Sequence, residues 1–276
     1  MIGTLYIVAT PIGNLDDITF RAVDTLKSVD VILAEDTRHS KRLLNHYDLK
    51  TELRAFHEHN EKHKTQAVIA ELLEGKNMAL ISDAGTPLIS DPGYVLVREA
   101  KKSGVVVSPI PGASAMISAM SAAGIASDQF GFFGFLPNKQ TARIKAIQAI
   151  AHSDQSVIFY ESPKRILACA YDLQSVLGDE RIVCFAKELT KSFETIKTNA
   201  LPVLIDYLQA DDAHQKGEFV ILISAIDKND KVLGEEQLDK ILPILLTEMG
   251  ASKAAKLAAK ITGIDKKYCY QRTIEL

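Results

Sequence analysis

Leu5-Tyr6-Ile7-Val8-Ala9-Thr10-Pro11-Ile12-Gly13-Asn14 runs from a short apolar, β-rich segment straight into a glycine turn. The pattern recurs twice. Met78–Ser82 leads into Ser82-Asp83-Ala84-Gly85-Thr86-Pro87, and Val105–Ile110 into Pro109-Ile110-Pro111-Gly112-Ala113-Ser114-Ala115. An apolar run that stops at a turn reads as a buried strand, and Val29–Ala34 is a fourth. Amphipathic stretches at about Asp17–Lys27, Ser40–Tyr47, Lys62–Glu74 and Gly93–Lys102 separate the runs and predict helices. Strand and helix alternating in this way predict an α/β fold with a mainly parallel sheet. Loops at the carboxyl ends of parallel strands line the crevice where such sheets bind ligands, and glycine admits a ligand where a Cβ would collide. The three turns are therefore expected to share one small-molecule site.

Outward from this block, Gln155–Tyr160, Arg181–Ala186, Ser192–Thr198 and Glu218–Ser224 read as strands. Helices are expected near Arg143–Ala151, Pro163–Leu177 and Leu201–Gln209. Phe193–Lys197 alternates more than a parallel strand should, which points to a mixed sheet in this half. The expected division is an N-terminal α/β domain over 1–112, a second over 113–227, and a helix-turn-helix-like extension over 232–276. Asp227-Lys228-Asn229-Asp230-Lys231 reads as the polar connector before it. A helix over Glu235–Met249 stops at Gly250, Ser252 is positioned to cap a second that ends at Gly263, and Asp265 to cap a third.

Composition narrows the function. A chain of 276 residues with 47% hydrophobic content supplies a large core, and three scattered cysteines without a CxxC pair suggest idle thiols in a reducing compartment. No signal peptide or membrane span is legible, so a cytoplasmic protein is expected. The net charge of −3 offers no overall field for nucleic acid. A local one exists. From Ser252 onward, Lys253, Lys256, Lys260, Lys266, Lys267 and Arg272 face only Asp265 and Glu275, which fits either a phosphate-binding face or an ordinary solvated one.

The turns contain neither a GxxxxGK[ST] nor a GxGxxG pattern, which disfavours nucleoside triphosphates and NAD. Asp83, the single acid of the second turn, would suit a cationic ligand such as S-adenosylmethionine, although capping its own turn is the commoner use of such a residue. Glu35-Asp36-Thr37-Arg38 ends another predicted strand and reads either as acid–base chemistry or as a helix cap with a salt bridge. His57, His59 and His63 are spaced loosely enough to read as a solvated helix entry, and no metal is predicted. Phe130, Phe132, Phe133 and Phe135 read more readily as core than as a stacking surface for bases.

Leu5–Leu15, Ala34-Glu35-Asp36-Thr37-Arg38, Ser82–Pro87, Asp91-Pro92-Gly93 and Phe159-Tyr160-Glu161-Ser162, in this order, resemble the tetrapyrrole methylase superfamily. Within it the whole chain looks like the branch that 2′-O-methylates a cytidine in the decoding region of small-subunit ribosomal RNA. Pro11 stands where tetrapyrrole-methylating members carry a more glycine-rich loop. The resemblance implies two α/β domains with S-adenosylmethionine in the cleft between them, and a homodimer acting on RNA within the 30S subunit. It implies Ile12, Gly13, Asp83, Thr86, Ser114 and Ala115 as cofactor contacts, with Tyr160, Ala186 and Glu218 from the second domain. For removing the 2′-hydroxyl proton, Glu35, Asp36, Lys187 and Glu188 are the candidates. Arg38, Lys164 and Arg165 are candidate phosphate contacts, with the C-terminal lysines. Two rivals keep the fold: methylation of a tetrapyrrole or other small molecule, and an RNA-binding protein whose cofactor pocket is a relic.

Overall fold

Val31-Ile32-Leu33-Ala34 and Met78-Ala79-Leu80-Ile81 are apolar at every position, so a strand made from either must be covered on both faces. The computed structural model describes residues 1–226 and 228–275, and of 228–234 and 236 the backbone. Two compact units emerge, Met1–Ala122 with Ala186–Thr195, and Ala123–Phe185 with Ile196–Leu276.

The first unit holds β1 (Thr4–Val8), α1 (Phe20–Ser28), β2 (Val31–Ala34), α2 (Thr37–His46), β3 (Glu52–Ala55), α3 (Glu58–Leu73), β4 (Met78–Ile81), α4 (Tyr94–Lys102), β5 (Val106–Ile110) and α5 (Ala115–Ala122). Its sheet runs β3-β2-β4-β1-β5 with every adjacent pair parallel. Alternation along the strands sorts the core. Leu5, Val31, Leu33, Met78 and Leu80 pack with Val68 and Leu72 of α3 and Leu96 of α4. Val8, Ile32, Ala34, Ala79 and Ile81 pack with Leu26 of α1 and Leu43 and Leu44 of α2. The strand β3 was not expected. It is an edge strand, and its Glu-Leu-Arg-Ala carries Arg54 between Glu52 and Glu71, 2.7 Å from each, so it lacks the apolar signature of a central strand.

The second unit continues with β6 (Phe130–Phe135), α6 (Gln140–Ile150), β7 (Ser156–Glu161), α7 (Ile166–Leu177), β8 (Ile182–Lys187), β9 (Thr195–Ala200), α8 (Leu201–Ala210) and β10 (Phe219–Ile223). The sheet order is β6-β7-β10-β8-β9; β6 is parallel to β7 and β10 antiparallel to it, so the sheet is mixed as expected, although the strand read over Ser192–Thr198 begins only at Thr195 and leaves Phe193 in the loop before it. Val157, Phe159, Val183, Phe185, Phe219 and Ile221 form one apolar face under α6, α7 and α8. Buried Arg143 bonds Asp172 at 2.6 Å and so joins α6 to α7. Here the sequence reading needs correction. Phe130–Phe135 is an edge strand with a bulge between Phe132 and Phe135, and Phe130, Phe133 and Phe135 are exposed rather than core.

Three helices follow, α9 (Lys228–Glu248), α10 (Ala251–Thr262) and α11 (Lys266–Glu275), joined by Leu238, Leu242, Ala255, Ala258 and Cys269. The polar connector expected at 227–231 is already helical from Lys228, while Asp227 lies outside the described residues. Gly250, not Ser252, is the residue before α10; Ser252 sits inside its first turn. Gly263, at φ 72°, closes α10, and Asp265 accepts the Lys267 and Tyr268 N–H groups at 2.8 and 3.1 Å to cap α11, as expected.

One buried side chain fixes the entry to α4. Glu61 of α3, 8% exposed, accepts N–H bonds from Gly93, Val95 and Leu96 at 3.1, 3.0 and 3.3 Å, meeting the orphan donors and the positive end of α4 together. Gly93 itself, at φ 125°, has no room for a Cβ, which would lie 2.6 Å from Leu80 Cδ2. Glu61→Ala should lower stability by about 2–3 kcal/mol in urea unfolding, with Glu61→Gln losing roughly half as much. A change under about 0.5 kcal/mol for the alanine variant would show that water replaces the cap.

Candidate functional site

In the parallel sheet the connections after β2 and β4 run in opposite directions, so the carboxyl ends of these neighbours form the switch point at which open α/β sheets take ligands. Hydrogen bonds tie the loops there together. Thr10 and Gly85 exchange backbone bonds in both directions, 2.8 and 3.0 Å, and Thr10 Oγ1 donates to the Ser82 carbonyl at 3.1 Å. Thr86 Oγ1 donates to the Ala113 carbonyl at 3.1 Å, joining the β4 and β5 loops. Across the switch point the Asp36 N–H donates to Asp83 Oδ1 at 3.0 Å. The loops after β1, β2, β4 and β5 therefore form one connected rim.

Carboxylates gather on this rim. Burial raises the pKa of Glu35, and Asp91, Asp83, Glu58 and Asp36 raise it further. Asp91 is pushed up to about 6, chiefly by burial, against an opposing hydrogen bond from Ser82 and with the Asp83 charge adding to the rise. Asp36 differs. Its carboxylate accepts the N–H groups of Arg38 at 2.8 Å and His39 at 3.4 Å, which hold its pKa below the usual carboxylate range. It caps α2, as the helix-cap reading expected, while Glu35 beside it keeps a raised proton affinity.

The other expected site residues fall into three groups. Ile12, Asp83, Thr86, Ser114 and Ala115 are half-buried on the rim of the first unit, with Gly13 exposed beside them. Lys187 is buried at the end of β8, next to fully buried Ala186, while Glu188 follows at φ 50° and pairs with Lys191. In the second unit, Tyr160 stands in β7 with Phe132 and Phe135 edge-on to its ring, and Glu218 is exposed ahead of β10.

Among the candidate phosphate contacts, Arg38 and Lys164 are exposed. Arg165 is engaged within the fold: it bonds the Leu136 carbonyl at 2.7 Å, Glu161 Oε2 at 2.9 Å and the Asn138 side chain. Lys253, Lys256 and Lys260 share one exposed face of α10, and Lys266 and Lys267 open α11. Arg272 of the same basic run bonds Asp239 through two nitrogens at 2.8 Å. Of the histidines, His57 heads α3 and is hydrogen-bonded to Asn60 at 2.9 Å. Among the described residues no group of His, Cys, Asp and Glu is placed to hold a metal ion.

Two participants were not foreseen. Asp91 was legible only as part of a motif, since nothing in its spacing shows that it folds back onto Ser82. The segment Ala186–Thr195 lies far along the chain yet belongs to the first unit: the Asn14 N–H donates to Thr190 Oγ1 at 3.0 Å. It also gives a second reason for Gly13. A Cβ there would lie 2.6 Å from Lys191 Cγ and 2.8 Å from the Leu189 carbonyl oxygen. Small half-buried residues, a carboxylate-rich edge and Gly85 facing Ile12 suit S-adenosylmethionine, a nucleoside that carries a sulfonium and an ammonium.

Ribosomal RNA small subunit methyltransferase I of Pseudomonas aeruginosa is 47% identical over 275 residues, covering 99% of this chain and 97% of that one. The protein of the same name from Vibrio cholerae is 49% identical over 272 residues, covering 98% and 94%. Among solved structures, diphthine synthase overlays with a TM-score of 0.61 at 16% identity, covering 81% of this chain and 90% of that one, and the methyltransferase CobJ with 0.60 at 18%, covering 81% and 94%. At such identities the overlays speak for the fold alone. The C-terminal helices match the RsmI C-terminal HTH domain over residues 232–276. Residues 4–204 match the model of the Tetrapyrrole (Corrin/Porphyrin) Methylases, and the chain belongs to that family.

Proposed function

We propose that this chain transfers the methyl group of S-adenosylmethionine to the ribose 2′-hydroxyl of a cytidine in the decoding region of 16S ribosomal RNA, within the 30S subunit, as a cytoplasmic homodimer. The observation that carries the reading is end-to-end similarity at 47–49% to proteins named for small-subunit ribosomal RNA methylation, the C-terminal helices included. The family's methyl donor is S-adenosylmethionine, and the rim of the first unit is suited to it. When bound, it supplies an electrophilic methyl group on a positively charged sulfur. Ile12, Gly13, Asp83, Thr86, Ser114 and Ala115 hold it, and the charges of Asp83 and Asp91 favour its cationic groups. Glu35 accepts the 2′-hydroxyl proton: a carboxylate raised toward neutral pH is a better base than an ordinary one. Positioning of the two reactants supplies the rest. Arg38 and the lysines of α10 and α11 neutralise RNA phosphates.

Transfer of tritiated methyl groups to small ribosomal subunits that lack their natural methylation, followed by nucleoside analysis, tests the reading. Label is expected in a 2′-O-methylated cytidine, and label in a base or none at all would refute it.

Two further outcomes follow from the charges. Replacing Lys253, Lys256 and Lys260 together by Gln should leave cofactor affinity unchanged while reducing the salt dependence of RNA binding by about two to three counterions. An unaltered salt slope would remove that face from the interface. Asp91 has a raised pKa in the fold, so its proton stabilises the protein at low pH, and this contribution is lost as pH rises from about 4 through about 6. Asp91→Asn retains an acceptor for Ser82 without the charge. It should therefore gain about 1–2 kcal/mol at pH 7.5, allowing for solvent screening, and almost nothing at pH 4 in urea unfolding. Equal effects at both pH values would mean that the charge is not under strain.

A further inference from the structure

We propose that Phe193 is the platform on which an unpaired base of the RNA stacks beside the reacting ribose, an inference that rests on the RNA-methylation reading above. A 2′-hydroxyl can reach a buried methyl donor only if its nucleotide leaves the neighbouring stack, and an aromatic ring restores part of what the base then loses. Phe193 is 79% exposed, whereas Phe56, Phe159, Phe185 and Phe219 are fully buried.

Exposure of one apolar ring says little by itself. What distinguishes this one is the loop beneath it. The Thr190 N–H donates to Glu194 Oε2 at 2.7 Å, the Lys191 N–H to the Glu188 carbonyl at 3.0 Å, and the Glu194 N–H to the Lys191 carbonyl at 3.0 Å, closing the turn whose tip is Ser192-Phe193. Glu188 and Thr190 hold φ values of 50° and 65°, unusual for any non-glycine residue and more so for a β-branched one. Such strain persists only where surrounding contacts impose it, and it clusters at ligand clamps. Here the contacts are with the β1 turn: Thr190 Oγ1 accepts the Asn14 N–H, and Gly13 leaves room for residues 189–191.

The backbone that carries the ring is thus tied to the turn that bears Ile12 and Gly13, at the carboxyl edge of the sheet that also presents Arg38, whose side chain is 92% exposed. Its own bonds and the contact with Asn14 hold the loop, so little entropy remains to be lost on stacking. Phe20 is more exposed, at 93%, but stands at the start of α1, whose cap at Thr19 is local to that helix.

The test uses the full-length chain with Phe193→Ala, Phe193→Leu and Phe193→Trp. Measurements are kcat/KM for undermethylated small subunits, cofactor affinity by calorimetry, and sedimentation. The Ala and Leu variants should lose about ten- to a hundredfold in kcat/KM with cofactor affinity and sedimentation unchanged, and Trp should stay within about threefold of the parent. Leu retains apolar bulk and serves if the Ala variant does not fold. Parental activity in the Leu variant, or equal losses with Leu and Trp, would overturn the proposal. Sedimentation of the Ala or Leu variant as a smaller species would assign Phe193 to a subunit contact instead. No transfer by the parent chain would overturn the RNA reading and this proposal together, and is distinguished from the other outcomes because it needs no variant.

Discussion

The reciprocal backbone bridge between Thr10 and Gly85 organises the site, since it makes two glycine turns one object. Turns at strand ends are free to wander, and ordering one costs on the order of 1–2 kcal/mol per residue in backbone entropy. Here the bridge, the Thr10 hydroxyl on the Ser82 carbonyl and the Thr86 hydroxyl on the Ala113 carbonyl tie three strand ends into a rim. Gly85, at φ 81°, reaches Thr10 in a backbone conformation that a side chain would resist. The rim in turn determines where Asp83 and Asp91 stand, and so the charge of the site.

That charge runs against stability. Burial raises the proton affinity of Glu35 and of Asp91, and the Asp83 charge beside both adds to the rise. A fold selected for stability alone would disperse them. Their arrangement is explained when a cation is expected there, since a bound sulfonium and ammonium would relieve the repulsion. Glu61 offers the contrast: it is more deeply buried than any of them but is met by three N–H groups, and it serves structure.

Much of this was legible in the residues. Central strands announce themselves because burial on both faces forces continuous apolar runs, as in Val31–Ala34 and Met78–Ile81. Edge strands carry no such constraint, so β3 with its Arg54 ion pairs and β6 with its exposed phenylalanines passed unnoticed. Local caps were readable where side chain and helix adjoin, as at Asp265. The docking of Ala186–Thr195 on the β1 turn was not, since Asn14 and Thr190 meet over a separation of 176 residues and nothing in either neighbourhood encodes the other. Gly13 carried the trace of that contact, although a glycine in a turn fits ligand approach and protein approach equally well.

The same ambiguity separates fold from substrate. Diphthine synthase and the methyltransferase CobJ share the architecture at 16–18% identity under different names, so the sheets alone do not say what this chain acts on. Choice must lie in parts the common core does not need for its own stability. The lysine face of α10 qualifies, because its opposite face of Ala254, Ala255 and Ala258 already suffices to pack the helix. So does the loop bearing Phe193, which holds strained backbone and an exposed ring that the core would be better without. Features that cost stability and are held rigidly are where selection for a particular substrate leaves its mark.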